Sequence, residues 1–265
     1  MSDEVYLVDK DGQSYGLKIF TSSEGYGLEN AIELEVLTSF FHPSLIRASE
    51  ILDLQQYGIG ILLPLGKMTL KTALSTIGEE EINKGMGDLA SCLLFLHSNG
   101  IASPSLKSED IIVRGESGSR RLIIASLDNL KPKTDDNSSE DVYNLGLLYF
   151  NLLTNENYQP NIDRLHYLRD KIGKKSPSLL DLLFRMLDPD PLNRITSPDV
   201  MKSGFFITNI NYFEPESHVQ KDENPDIWVS RYWTSKVNGT ADTSEQYDDN
   251  FLSLEKEIIM NRRYQ

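Results

Sequence analysis

The stretch from Glu79 to Val113 constrains this chain most, because a helix, a stop, a polar loop and a buried strand follow one another with no residues to spare. Apolar side chains recur three to four residues apart at Ile82, Met86, Leu89, Leu93 and Leu96, which gives one face of a helix over Glu79 to Asn99. Acidic residues fill its first turn, as the helix dipole favours, and Gly100 stops it. Gly85 and Gly87 lower the helix propensity of its first half, which is expected to be poorly formed. The next thirteen residues, I-A-S-P-S-L-K-S-E-D-I-I-V, read as a polar loop running into a short buried strand, Ile111 to Val113.

The flanking segments supply the other layers of an α+β fold. Glu4 to Phe20 has the pattern of a hairpin, with Gly12 providing the positive φ of its turn. Leu28, Ile32, Val36, Leu37 and Phe40 predict a helix over Gly27 to Phe41 that ends before His42-Pro43. Strands are expected at Ile46 to Leu52 and Gly58 to Leu65, then a helix around Thr69 to Thr76. After the loop, R-G-E-S-G-S turns back into a strand beginning at Arg121, and D-V-Y-N-L-G-L-L-Y-F starts another buried helix at Asp141. The run from Ser178 to Phe206 reads as helix, turn and helix, with Pro198 in the first turn of the last and Thr196 or Ser197 as its cap.

In this order the segments resemble a eukaryotic protein kinase. The loop 101–113 is similar to the catalytic-loop pattern I-I-H-R-D-L-K-P-E-N-I-L-L: Leu106, Lys107, Glu109 and the apolar run keep their types. The catalytic triplet becomes Ser103, Pro104 and Ser105, and the metal-binding Asn becomes Asp110. Lys18, in Y-G-L-K, stands where the family has its phosphate-binding strand lysine, and Glu33 stands for its helix partner, with Glu35 nearby. Leu63, Leu65 and Gly66 fall at the linker that lines an adenine pocket. The metal-holding triplet falls on Ser126-Leu127-Asp128, which loses its aspartate; an alternative register beginning at Asp128 keeps one, and Asp110 with Asp128 would then be the metal carboxylates. Asp141 matches the aspartate that hydrogen-bonds the catalytic-loop backbone, and the turn D-P-D-P-L-N-R-I-T closely matches the end of the larger lobe.

The resemblance implies a bilobal kinase-like fold with a truncated small-lobe sheet, lacking the first strand and glycine-rich loop. Its parts would be a small lobe at 1–66, a helical lobe at 67–206 and an extension at 207–265. Only fifteen positions separate Ser126 from Asp141, too few for an activation segment, and Thr134, Ser138 and Ser139 are read there as an acidic loop. Without these parts the expectation is a pseudokinase that is no enzyme, holds no cofactor or metal and acts as a protein-binding scaffold or allosteric regulator. Two alternatives stay open: a weakly active, atypical nucleotide-binding kinase, and a structural subunit of a larger assembly. Residual ATP binding would use Lys18, Glu33, Lys107 and Asp110.

Lys and Arg number 26 against 40 Asp and Glu, a formal charge of −14, which argues against nucleic-acid or anionic-membrane partners. A protein partner is expected instead, a true kinase or a larger assembly. Both tryptophans, Trp228 and Trp233, lie in the extension, as does a terminal amphipathic helix carrying Phe251, Leu254 and Ile258, and these are the candidate partner-binding residues. The single cysteine, Cys92, sits on an apolar helix face, and no signal peptide or membrane span is present, so an intracellular, cytoplasmic location is expected.

Overall fold

The computed structural model describes residues 5–20, 28–127, 129–159, 163–173 and 175–209. They form two compact units, one made of the described residues up to Phe41 together with Ile46–Leu65, the other of His42–Leu45 and the residues from Gly66 onward.

The first unit is an antiparallel sheet and one helix. Strands β1 (Val5–Lys10) and β2 (Gln13–Phe20) make the expected hairpin. Both turn residues, Asp11 and Gly12, take positive φ (54° and 76°), the two-residue turn whose twist matches the strands. Asp9 Oδ1 accepts from the Gly12 N–H at 3.1 Å. Helix α1 (Leu28–Ser39) buries Glu33, Leu34, Val36 and Leu37 and exposes Glu35. Strands β3 (Glu50–Asp53) and β4 (Ile59–Pro64) complete the order β1-β2-β4-β3. Side chains alternate across β2. Leu17 packs with Val8, Leu52, Leu54 and Leu62, against which Tyr15 and Ile19 also pack, and Lys18 and Phe20 take the other face. The strand expected from Ile46 is thus shorter, because the Ala48 N–H is taken by the Leu37 carbonyl and pairing with β4 begins only at Glu50.

The second unit is mostly helical. Strand β5 (Met68–Thr69) leads into a single helical turn, α2 (Leu70–Ala73), shorter than expected because Thr76 and Ile77 turn back onto the Ala73 carbonyl. Helix α3 (Glu79–Ser98) is continuous, which corrects the expectation of a poorly formed first half. Gly85 is the reason: a Cβ there would stand 2.5 Å from Leu122 Cγ, so the glycine that weakens the helix in isolation lets it press against the strand that follows. Strands β6 (Ile101–Ala102), β7 (Ile111–Arg114), β8 (Arg121–Ile124) and β9 (Lys131–Pro132) form two small sheets, β5-β7-β8 and β6-β9.

Helix α4 (Asp135–Thr154) begins six residues before Asp141, so Ser138 and Ser139 are helical and Thr134 is its cap. This corrects their reading as a loop. Thr134 Oγ1 accepts from the Asn137 N–H at 3.2 Å and Asn137 Oδ1 from the Thr134 N–H at 2.7 Å, while Asp135 and Asp136 sit at the positive end of the dipole. The polar composition marks a helix start. Helices α5 (Arg164–Ile172), α6 (Pro177–Met186), α7 (Ser197–Met201) and α8 (Gly204–Asn209) follow. Thr196 is the N-cap residue of α7, but its hydroxyl donates to Asp199 Oδ2 at 2.7 Å instead of capping the backbone.

His42–Leu45 belongs to the helical unit although the residues on either side of it do not. The Ser44 carbonyl accepts from the Ile124 N–H at 2.9 Å, His42 Nε2 lies 3.1 Å from Ser91 Oγ, and the His42 ring stacks on Phe95. Among the described residues no helix is long and apolar enough to cross a membrane. Trp228, Trp233, Phe251, Leu254, Ile258 and Asp128 lie outside the described residues.

Candidate active site

The residues singled out in the sequence fall into two groups, one on each unit. On the first, Lys18 projects from the middle of β2 and its Nζ meets Glu33 Oε1 of α1 at 2.5 Å. Both side chains are about 95% buried. Lys18 Nζ also lies 5.5 Å from the centroid of the Phe20 ring. Strand period and helix period together select Glu33 over Glu35, since only the former shares the buried side of α1. Leu63 is buried in β4, and Leu65, just past the strand, is half exposed.

On the second unit the loop between β6 and β7 carries Ser103, Pro104, Ser105, Lys107 and Asp110. Leu106 and Ile111 are buried and anchor it from below. The Asp110 N–H donates to the Lys107 carbonyl at 3.0 Å, and the Asp110 carbonyl accepts from Ala125 N–H at 2.9 Å, which ties the loop to the residue after β8. Ser103 has φ 69°, an uncommon backbone state for a non-glycine residue. Its N–H is held by Asp141 Oδ2 at 2.8 Å, the bond expected of Asp141. The same oxygen receives His97 Nε2 at 3.0 Å, and His97 Nδ1 meets Ser197 Oγ at 2.8 Å. Serine, histidine and aspartate are here in a row, but all are at least 94% buried, so the row is a structural tie between α3, α4, α7 and the loop. Asp141 was its one signal in the sequence.

Within the loop, Ser105 Oγ donates to Asp110 Oδ2 at 2.5 Å, and both side chains are half-buried. Reading each position by residue type alone missed this pairing. Lys107 is exposed, and Gly66 lies against Ile112, where a Cβ would approach to 2.8 Å. Ser126 is half-buried and Leu127 buried. Of the two carboxylates proposed for a metal, Asp110 alone is described, and among the described residues no group of three or more His, Cys, Asp or Glu side chains is placed to hold an ion.

Arg194, in the turn D-P-D-P-L-N-R-I-T, donates to the Ser139 carbonyl at 2.9 Å through Nη1 and to the Asp188 carbonyl at 2.9 Å through Nε, and its guanidinium lies 4.7 Å from the Tyr143 centroid. Burial lowers its pKa from the ordinary arginine value, with Tyr143 and Asp188 opposing.

No family model matches the chain. Curated relatives include the CBL-interacting serine/threonine-protein kinase 15 of Arabidopsis thaliana, 24% identical over 74% of this chain and 56% of its own length. The CBL-interacting protein kinase 24 of Oryza sativa subsp. japonica is 25% identical over 66% of this chain and 46% of its own length. This chain thus spans about half the length of these relatives. Among solved structures, the Rad53 kinase domain with SCD2 is similar at a TM-score of 0.59 and 18% identity, covering 80% of this chain and 94% of that one. The yeast RNA Pol II CTD kinase CTDK-1 complex contains a chain at 0.61 and 16%, covering 83% and 93%. The fold is that of the protein kinases, with a small four-stranded sheet unit and a helical unit. These findings overturn the expectation that the chain is no enzyme: the relatives are protein kinases and the structural neighbours are kinase domains.

Proposed function

We propose that the chain is an atypical, slow kinase that binds ATP through Lys18, held by Glu33. The observation that carries this reading is the Lys18–Glu33 pair at 2.5 Å inside the first unit. Withdrawing two charges from water costs several kcal/mol per ion, so a buried pair is poor value as a mere tie between helix and sheet. An ammonium fixed at one point is what polyphosphate binding requires. Serine at 105 takes no proton at neutral pH, and a lost general base slows such transfers by about 10²- to 10⁴-fold, hence the slow rate.

The test is a thermal-shift titration with ATP, with and without Mg²⁺ or Mn²⁺, on wild type and Lys18→Met. Ligand at a hundred times its Kd adds about 2.7 kcal/mol. A shift in wild type that is lost in the variant supports the reading, and no shift under any condition refutes it.

A second reading is association with a protein partner. It is favoured by Val5 and Leu7, 55% and 69% exposed on β1 at the edge of its sheet, a strand position that invites pairing with another chain. The relatives' names record interaction with CBL, and a comparable partnership for this chain is part of this second reading. Leu7→Lys is expected to abolish such association without lowering the melting temperature; an unchanged complex refutes it.

A further inference from the structure

Arg194 reaches the start of α4 at a residue that the reading above leaves idle. Its Nη1 donates to the Ser139 carbonyl at 2.9 Å and to Ser139 Oγ at 3.1 Å, and that hydroxyl in turn donates to the Pro191 carbonyl at 3.3 Å. Ser139 is half-buried, so its hydroxyl is in reach of solvent. A phosphate on it would give Arg194 three anionic acceptor oxygens where it now has one neutral hydroxyl. We infer that Ser139 is a phosphorylation site for a separate, acid-directed protein kinase, and that Arg194 holds the phosphate. The inference does not rest on nucleotide binding by this chain.

The neighbouring serine sets Ser139 apart. Ser138 Oγ donates back to the Thr134 carbonyl at 2.7 Å and, among the described residues, meets no cation. Asp135 and Asp136 precede Ser139 while Glu140 and Asp141 follow it, a charge pattern that suits an enzyme with a basic substrate cleft. Asp135, Asp136, Asn137 and Ser138 are poor helix formers, so the first turns of α4 open at small cost and present Ser139 to that cleft. The same carboxylates oppose the new charge. Glu140 and Asp190, which also act on Arg194, are exposed and screened, and Asp188 is paired with Arg164 at 2.9 Å, so the direct guanidinium contact outweighs them.

In the step, Ser139 Oγ forms a bond to the γ-phosphorus of an ATP held by that kinase, and the bond from the phosphorus to the β,γ-bridging oxygen breaks. The electron pair leaves with ADP, and the hydroxyl proton passes to a base of the same enzyme. The Pro191 carbonyl loses its donor, but Pro191 is exposed and water replaces it. When the helix start closes again, the phosphate clamps it to the 188–194 turn. Two residues on, Asp141 holds the Ser103 N–H at 2.8 Å, so the clamp braces that loop from its anchored side.

The experiment treats the full chain with MgATP and a purified acid-directed serine kinase, maps the phosphate by mass spectrometry and titrates it by phosphorus NMR. Phosphate on Ser139 is expected. Its second ionisation, at about pH 6 for phosphoserine in water, should fall by about one unit in the native chain relative to the same chain unfolded in urea, a tenfold change in the ionisation constant. Arg194→Gln should lose that shift, and Arg194→Lys, which keeps the charge, should retain part of it. No phosphate on Ser139, including phosphate on Thr134 or Ser138 only, overturns the inference. So does a phosphate on Ser139 that ionises no lower in the native chain than in urea, or a downward shift that survives in Arg194→Gln. The comparison with urea is made within one protein and decides the matter even where an Arg194 variant fails to fold.

Discussion

His42 makes the helical unit sensitive to acid, in a pH range where few other groups titrate. The Ser44 N–H donates to His42 Nδ1 at 3.1 Å, so that nitrogen is the acceptor and Nε2 bears the proton, which it gives to Ser91 Oγ at 3.1 Å. Protonation would set a second N–H against the Ser44 N–H, within a ring that is 3% exposed and stacked on Phe95. Burial first, and the Arg121 charge second, push the His42 pKa down from 6.5 to about 4. Since the folded state prefers the neutral ring, its contribution is fully present above pH 6.5 and is lost as the pH falls from there through about 4. Linkage between these values gives a loss of about 1.8 kcal/mol from pH 7 to pH 5. That corresponds to roughly 4–7 °C in Tm for a domain of this size.

The assay is urea unfolding of wild type and His42→Asn at pH 7, 6 and 5. Asparagine keeps an acceptor for the Ser44 N–H and does not titrate. The variant is expected to be less stable at pH 7, where it lacks the stack on Phe95, and to lose less than wild type on acidification, so that the two curves converge. Parallel curves, with a difference that stays within about 0.5 kcal/mol of its pH 7 value, would refute the argument, because a buried neutral histidine must leave this signature.

Three other predictions concern the frame. Asp141→Ala leaves the Ser103 N–H and His97 without their acceptor and should cost about 3 kcal/mol in chemical denaturation, whereas an exposed carboxylate removed from the start of α4, as in Asp136→Ala, should cost under about 1. Gly85→Ala should destabilise by about 1–3 kcal/mol despite alanine's higher helix propensity, since its methyl would stand 2.5 Å from Leu122 Cγ; a raised Tm would sink that account. Lys18→Met removes the ammonium that the buried Glu33 carboxylate meets and should cost about 3–5 kcal/mol, and adding Glu33→Leu should recover part of it while leaving ATP binding abolished.

The fold was legible in the sequence wherever a periodic apolar face met a stop signal. The hairpin at Gly12, the helix from Glu79 and the Ser178 to Phe206 run all satisfy that condition. What escaped were features in which composition and role part company. The acidic stretch from Asp135 to Glu140 has the makeup of a linker, yet the reciprocal Thr134–Asn137 bonds turn it into the first turns of α4. Gly85 reads as a breaker until Leu122 is set against it. Such outcomes depend on a neighbour distant in the chain, and single-residue propensities carry no record of it.

The same limit governs the site, with more at stake. Lys18 and Glu33 were legible through the order of elements shared with the kinase family, since the residues alone left Lys18 readable as an edge charge, and the two side chains do meet, both buried. Ser105 was read as the loss of a base because its type was compared with the type a kinase carries there. A hydroxyl's chemistry is set by what accepts its proton, and here that is a carboxylate five residues on, in a loop whose backbone is fixed at three points. A family carboxylate at 105 would itself have repelled Asp110, since two anions 2.5 Å apart do not both stay ionised. Serine at 105 and aspartate at 110 are therefore one coupled change. Replacing Ser105 alone by Asp should disturb the loop, and the pair Ser105→Asp with Asp110→Asn should tolerate it. Equal stability of the single and double variants would show that the two positions are independent and remove the reason for treating the loop as a site.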